Sequence, residues 1–151
     1  MADQATEHMF MKAPPERCYE VVLDFERYPE WVADIKHVEV LQRDDQDRGT
    51  KVAFRAAAMG RSTSYTLAYD YSQAPREISW VLERGDITRR LDGTYVFEAT
   101  DDGDGDGDGT EVTYHLAVEL VVPLPAFIKS RAEGRIIGNA LRELKARVES
   151  G

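Results

Sequence analysis

The chain has 151 residues, 42% of them hydrophobic and 31% charged, and a formal net charge of −9. That length suits one domain (residues 1–151) with one sizeable core, and the composition is globular rather than disordered. The acidic balance argues against nucleic acid, whose phosphates need Lys and Arg. The single cysteine excludes an internal disulfide and a cysteine-rich metal site. With no apolar run of about 18 residues and no basic, apolar leader at the start, the expected compartment is the cytoplasm.

In chain order, residues 7–12 read as a first strand, where the ordered core (7–149) begins, and Ala13-Pro14-Pro15 stops it. Proline suits the first turn of a helix, where its missing N–H would have had no partner. A helix over 15–24 then places Cys18, Val21, Val22 and Phe25 at i, i+3, i+4 and i+7. This is a single apolar face, so Cys18 reads as a buried core residue rather than a nucleophile. Tyr28-Pro29-Glu30-Trp31 reads as a second short helix.

From Ile35 the apolar residues recur with period two, as in strands with one buried face. Val38 and Val40 alternate with His37 and Glu39. Val52, Phe54, Ala56 and Ala58 share a face, as do Tyr65, Leu67, Tyr69 and Tyr71 after the turn at Gly60-Arg61. Ile78, Trp80 and Leu82 follow, then Leu91, Tyr95 and Phe97, then Val112, Tyr114, Leu116, Val118 and Leu120. With the first strand this makes about seven, joined by short loops and therefore antiparallel.

Residues 101–109 alternate Asp and Gly, and Asp102, Asp104, Asp106 and Gly107 match the start of an EF-hand loop. The match fails at position twelve, where Thr113 stands in place of a bidentate Glu, and strands flank it where helices are required. A mobile, solvated acidic hairpin loop without metal is the expectation.

Pro123 and Pro125 end the last strand and open a helix over 125–148, whose apolar face is Ile137, Leu141, Leu144 and Val148. Gly134 and Gly138 interrupt it, each costing about 1 kcal/mol relative to Ala. They serve either close packing of helix on sheet or room for a ligand. Residues 123–149 hold six basic against three acidic side chains, a local surplus of three positive charges in an acidic chain. That surplus is either internal complementarity or a weakly basic mouth for an anionic headgroup or acidic protein.

This order of elements resembles the START-like helix-grip superfamily (SRPBCC), in particular its polyketide cyclase/dehydrase and coenzyme Q-binding branch. The matching features are Ala13-Pro14-Pro15-Glu16, the stretch from Asp24 through Tyr28-Pro29-Glu30-Trp31, Ile78-Ser79-Trp80, and residues 91–97 and 110–114. The Pro123-Leu124-Pro125 opening of the last helix and residues 141–145 near its end also match. The resemblance covers nearly the whole chain and implies an α+β helix-grip fold. In that fold a seven-stranded antiparallel sheet curves around the C-terminal helix and encloses an elongated cavity. The strand pattern agrees, because the apolar strand faces need a cover and only the last helix is long enough.

Facing that space should be Phe54, Tyr65, Leu67, Tyr69, Trp80, Leu82, Tyr95, Phe97, Tyr114 and Leu116. Trp31, Phe127, Gly134, Ile137 and Gly138 join them as expected ligand contacts. Buried tyrosine hydroxyls need partners, which water or a polar ligand group would supply.

The expected function is binding, as carrier or chaperone, of a hydrophobic small molecule such as a lipid, isoprenoid quinone or polyketide. The resemblance also leaves a polyketide aromatase/cyclase or dehydratase, with Tyr65, Tyr69, Tyr95 and Arg131 as acid/base candidates. A protein-interaction module with a filled cavity is the third reading. His8, His37 and His115 lie on different strands without ligand spacing, so no metal is expected, and no cofactor. Transient contact with a membrane or a protein, as monomer or dimer, completes the expected partners. If the Asp-Gly tract holds no metal, thermal melts with and without millimolar calcium will coincide; a specific site would raise the midpoint.

Overall fold

The computed structural model of the chain describes residues 3–58, 61–100, 109–121 and 125–150. Strand β1 (Asp3–Met11) leads to helix α1 (Pro15–Leu23), a 3-10 turn (Phe25–Arg27) and helix α2 (Tyr28–Trp31). Six strands follow: β2 (Ile35–Arg43), β3 (Gly49–Ala58), β4 (Arg61–Asp70), β5 (Glu77–Gly85), β6 (Thr88–Thr100) and β7 (Gly109–Leu120). Helix α3 (Ala126–Glu149) closes the chain. The strands form one seven-stranded antiparallel sheet in the order β1-β7-β6-β5-β4-β3-β2. This is the helix-grip fold.

β1 and β2 are consecutive strands on opposite edges, so α1 and α2 carry the chain across one face of the sheet. The sequence supports that crossing at both ends. Pro14 and Pro15 open α1, and its buried Cys18, Val21 and Val22 continue into Phe25, which is 2% exposed. Burying a side chain such as Phe25 stabilises the fold by about 1.5–3 kcal/mol. At the corner between β1 and α1, the fully buried Thr110 hydroxyl donates to the Ala13 carbonyl at 2.7 Å.

Two expectations shift. β1 begins at Asp3 rather than Glu7, because its pairing runs the length of β7 from Asp3–Val118 to Met11–Thr110, and partner strands outrank weak local propensity. α3 begins at Ala126 with Pro125 as its N-cap and ends at Glu149. Of the Asp-Gly tract, residues 101–108 lie outside the described residues. Gly109, expected in the loop, is the buried first residue of β7, and a Cβ there would run into the Phe10 ring. Of the expected Gly60-Arg61 turn, Gly60 lies outside the described residues and Arg61 opens β4.

α3 lies over β1, β7 and α1. Among the described side chains, its buried residues Leu141, Leu144 and Val148 all belong to its C-terminal half. The polar fastenings lie there too. Lys145 Nζ donates to the Phe10 carbonyl at 3.0 Å, Glu149 accepts the Lys12 backbone N–H at 2.8 Å, and Arg147 pairs with Glu30 at 3.0 Å. Glu143 accepts the Ala33 backbone N–H at 3.0 Å. Among the described residues no side chain before Asn139 fastens α3 to another element, and no helix is long and apolar enough to cross a membrane.

On the sheet, Gly93 in β6 sits opposite Trp80 in β5. A Cβ there would stand 2.5 Å from Trp80 Cζ2 and 2.8 Å from the His115 carbonyl oxygen. The indole therefore lies directly on bare backbone. Gly93→Ala is expected to cost about 1–3 kcal/mol by overpacking, read as a lower urea midpoint with unchanged slope.

Candidate functional site

Cross-strand register assembles the inner face. Phe54 pairs with Tyr65, Tyr69 with Trp80, and Tyr95 with Tyr114, so aromatic rings adjoin across five strands. The rings form one connected belt. Trp31 meets Tyr28 at 5.0 Å between centroids, Tyr28 meets Phe25 at 5.5 Å, and Phe25 meets Tyr69 at 4.7 Å. The belt continues from Tyr69 to Trp80 at 5.8 Å, from Trp80 to Tyr95 at 5.4 Å, and from Tyr95 to Tyr114 at 4.7 Å.

Of the residues the sequence points to, Phe54, Leu67, Trp80, Tyr95, Phe97, Tyr114 and Leu116 are buried on this face. Trp31, Tyr65, Tyr69 and Leu82 are half-buried against them. The side chain of Ile137 lies outside the described residues. Phe127 stands apart from the belt: it is 70% exposed, because α3 is not held down at its start. Arg131 is exposed with no partner among the described residues. The alternation missed two buried threonines: a register shift at Thr88/Arg90 turns Thr88 inward opposite Leu120, and Thr66, between the inward Tyr65 and Leu67, is buried on the other face.

The tyrosine hydroxyls divide into two groups. Tyr28 donates to the Val22 carbonyl at 2.5 Å and Tyr71 to the Gly49 carbonyl at 2.6 Å. No described residue is bonded to the hydroxyls of Tyr65, Tyr69, Tyr95 or Tyr114. Yet no buried side-chain oxygen among the described residues lacks a partner, so these four hydroxyls open onto space that water can enter. They also converge. Burial pushes all four phenols above their ordinary range, and for Tyr69 and Tyr114 the neighbouring tyrosines add to it. Behind burial, Tyr65 is affected by the charge of Asp34 and Tyr95 by that of Glu143. Tyr28 and Phe25 complete the belt but escaped the strand pattern, since they come from the crossing between β1 and β2. Their spacing of three, just after α1, was the available signal.

The two glycines of α3 do not serve close packing on the sheet. Gly134 lies seven residues before the buried Leu141 and so on nearly the same helical face, yet it is exposed and a Cβ there would meet nothing within 4 Å. A Cβ at Gly138 would meet only the Arg142 guanidinium, at 3.6 Å and beyond. The face that buries α3 at its end meets nothing within 4 Å at Gly134, nearer its start.

The outer face carries a broad, open groove of about 640 Å³, lined in part by Thr6, Ser79, Asp92, Thr94 and His115. Its polar groups are already paired: Thr6 with His115 at 2.9 Å, Ser79 with Thr94 at 3.1 Å, and Asp92 with the Leu82 N–H at 2.9 Å. The inner face, with its unpaired hydroxyls, is therefore the candidate site. Among the described residues no group of three or more His, Cys, Asp or Glu could hold a metal ion.

Residues 11–145 match the family described as polyketide cyclase / dehydrase and lipid transport. The chain belongs to this family. No curated protein matches the sequence. Among solved structures it is similar to a START superfamily protein from Mycobacterium smegmatis, with 24% identity, 97% of each chain covered and a TM-score of 0.84. A Thermus thermophilus protein has 22% identity over 97% of each chain, with a TM-score of 0.75. The Zhui aromatase/cyclase from a Streptomyces species has 15% identity, covering 99% of this chain and 94% of its own, with a TM-score of 0.79. At these identities the likeness shows the fold.

The raised phenols set a pH dependence. An unfolded tyrosine ionises near 10.0, whereas burial in the folded state holds Tyr65, Tyr69, Tyr95 and Tyr114 protonated well beyond it. The unfolded state then binds fewer protons, so stability is full below pH 10 and falls as pH rises above it. Urea midpoints should decline above about pH 10, with tyrosinate absorbance rising together with unfolding rather than before it.

Proposed function

We propose that the protein binds an elongated, largely apolar small molecule bearing oxygen functions, between the inner face of the sheet and the N-terminal half of α3. The observation that carries this reading is the set of four tyrosine hydroxyls, embedded in an aromatic belt, that bond to no described residue. Ligand pockets combine an apolar lining with a few placed polar groups, and this face has that composition. A ligand carbonyl or hydroxyl would take over the bonds these phenols make to water, whereas a ligand without such a group would leave them unpaired at a cost of about 1–3 kcal/mol each. Trp31, Phe54, Tyr65, Leu67, Tyr69, Trp80, Leu82, Tyr95, Phe97, Tyr114 and Leu116 would supply the contacts, with Gly134 and Gly138 leaving room for the ligand. The role is that of a carrier or holder.

The same hydroxyls favour one second reading. Protonated phenols converging on a carbonyl chain can donate hydrogen bonds to developing oxyanions, as a cyclase or dehydratase requires. Their raised pKa values suit them to donate and not to act as bases at neutral pH. A module with a filled interior would leave no reason for four unpaired hydroxyls.

Native mass spectrometry of freshly purified protein should show a bound species, and the neutral probe N-phenyl-1-naphthylamine should fluoresce on binding. Gly134→Leu separates site from scaffold, because Leu is the better helix former by about 0.8–1 kcal/mol. Melting should hold or rise while probe affinity falls at least about tenfold, or ~1.4 kcal/mol. Unchanged probe binding would place the ligand elsewhere. A bound species returned chemically altered would favour the cyclase reading.

A further inference from the structure

We infer that the end of the molecule where α3 begins docks on an anionic lipid surface, with Phe127 inserted among the lipids and arginines on their phosphates. This rests on the proposed apolar ligand, for which a bilayer is the reservoir.

Phe127 is the most exposed of the large apolar side chains described, at 70%, and leaving it in water forfeits about 1.5–3 kcal/mol of burial. Val121, at the end of β7, is 50% exposed, and Ile136 is 36% exposed. Phe127, Arg131 and Arg135 follow one another at i, i+4 and i+8, a single ridge about 12 Å long. The apolar tip therefore has cations directly behind it.

The charges point to the same end. Of the described arginines, Arg27, Arg43, Arg48, Arg76, Arg90 and Arg147 are paired with carboxylates. Arg17, Arg55 and Arg142 bond to a carbonyl, a hydroxyl and an amide oxygen. Arg84, Arg89, Arg131 and Arg135 are exposed and bond to nothing described. Arg84 and Arg89 flank the turn between β5 and β6, where the Ile87 carbonyl accepts the Val121 N–H at 2.6 Å. α3 starts five residues beyond Val121, within about 17 Å by chain reach. Arg131 and Arg135 thus share the Phe127 ridge, and Arg84 and Arg89 flank the turn bonded to Val121, which chain reach keeps within about 17 Å of the start of α3.

The net charge of −9 does not prevent docking, because charges beyond a Debye length of about 8 Å are largely screened and each basic residue at an anionic surface contributes about 1 kcal/mol. Aromatic and basic residues on one face suit a bilayer interface. Gly134, where a Cβ would meet nothing within 4 Å, follows Phe127 by seven residues and so shares its side of α3, which places the proposed ligand site next to the docked face.

Flotation with vesicles tests this. The wild-type chain should float with phosphatidylcholine vesicles containing phosphatidylserine, should not float with phosphatidylcholine alone, and should be released by high salt. Phe127→Ala should weaken flotation about tenfold or more. Arg84→Glu/Arg89→Glu/Arg135→Glu should abolish it while N-phenyl-1-naphthylamine binding and melting stay unchanged. That retained probe binding separates failure of the docking surface from failure of the ligand site. No flotation, equal flotation on neutral vesicles, or variants that float like wild type would overturn the proposal. Binding to soluble polyglutamate without flotation would also overturn it, in favour of an acidic protein.

Discussion

Among the described side chains, those that fasten α3 to the body all lie in its last three turns, and the proposed inner site depends on that asymmetry. Leu141, Leu144 and Val148 bury there, and Glu143, Lys145, Arg147 and Glu149 bond to Ala33, Phe10, Glu30 and Lys12. The apolar term gives the strength, since each fully buried side chain contributes about 1.5–3 kcal/mol, whereas an exposed ion pair contributes about 0–1. The polar bonds instead fix where along β1 and α2 the helix comes to rest. With its end held, the first half of α3 is an overhang, with Phe127 exposed and nothing within 4 Å of a Cβ at Gly134.

The sheet meets that overhang with rings rather than aliphatic chains. Aromatic pairs across strands add about 0.5–1.5 kcal/mol beyond the area they bury, so the belt from Trp31 to Tyr114 is a stable wall in its own right. Its phenols give the wall a second property. Tyr28 and Tyr71 bond to backbone carbonyls and lock the crossing and the start of β3. Tyr65, Tyr69, Tyr95 and Tyr114 have hydroxyls left over. A site built to hydrogen-bond discriminates against molecules that cannot, because its polar groups then stay unpaired. On the proposed reading, the belt supplies affinity and the four hydroxyls supply selection.

Most of the architecture was legible in the chain. Period-two alternation from Ile35 to Leu120 is dictated by one buried and one solvated sheet face, and the Pro-opened helices carry their start signals in the sequence itself. Misplaced positions share a cause. β1 extends to Asp3 because β7 pairs with it, Gly109 is buried because Phe10 covers it, and Thr88 turns inward because the ladder slips. Each depends on a partner distant in sequence, which local propensity does not encode.

The candidate site divides along the same line. Alternation alone put Phe54, Tyr65, Tyr69, Trp80, Tyr95 and Tyr114 on one face, because side chains two residues apart on a strand must share a side. Which tyrosines would find protein partners, and that Phe25 and Tyr28 would join the belt from the crossing, was decided only when strands and helices met. The same holds for α3. Its periodicity identified an amphipathic helix, yet whether its glycines pressed against the sheet or stood clear depended on where its end was fastened. Helical phase is a local property of the chain; the height of a helix above a sheet is set by contacts between residues more than a hundred positions apart.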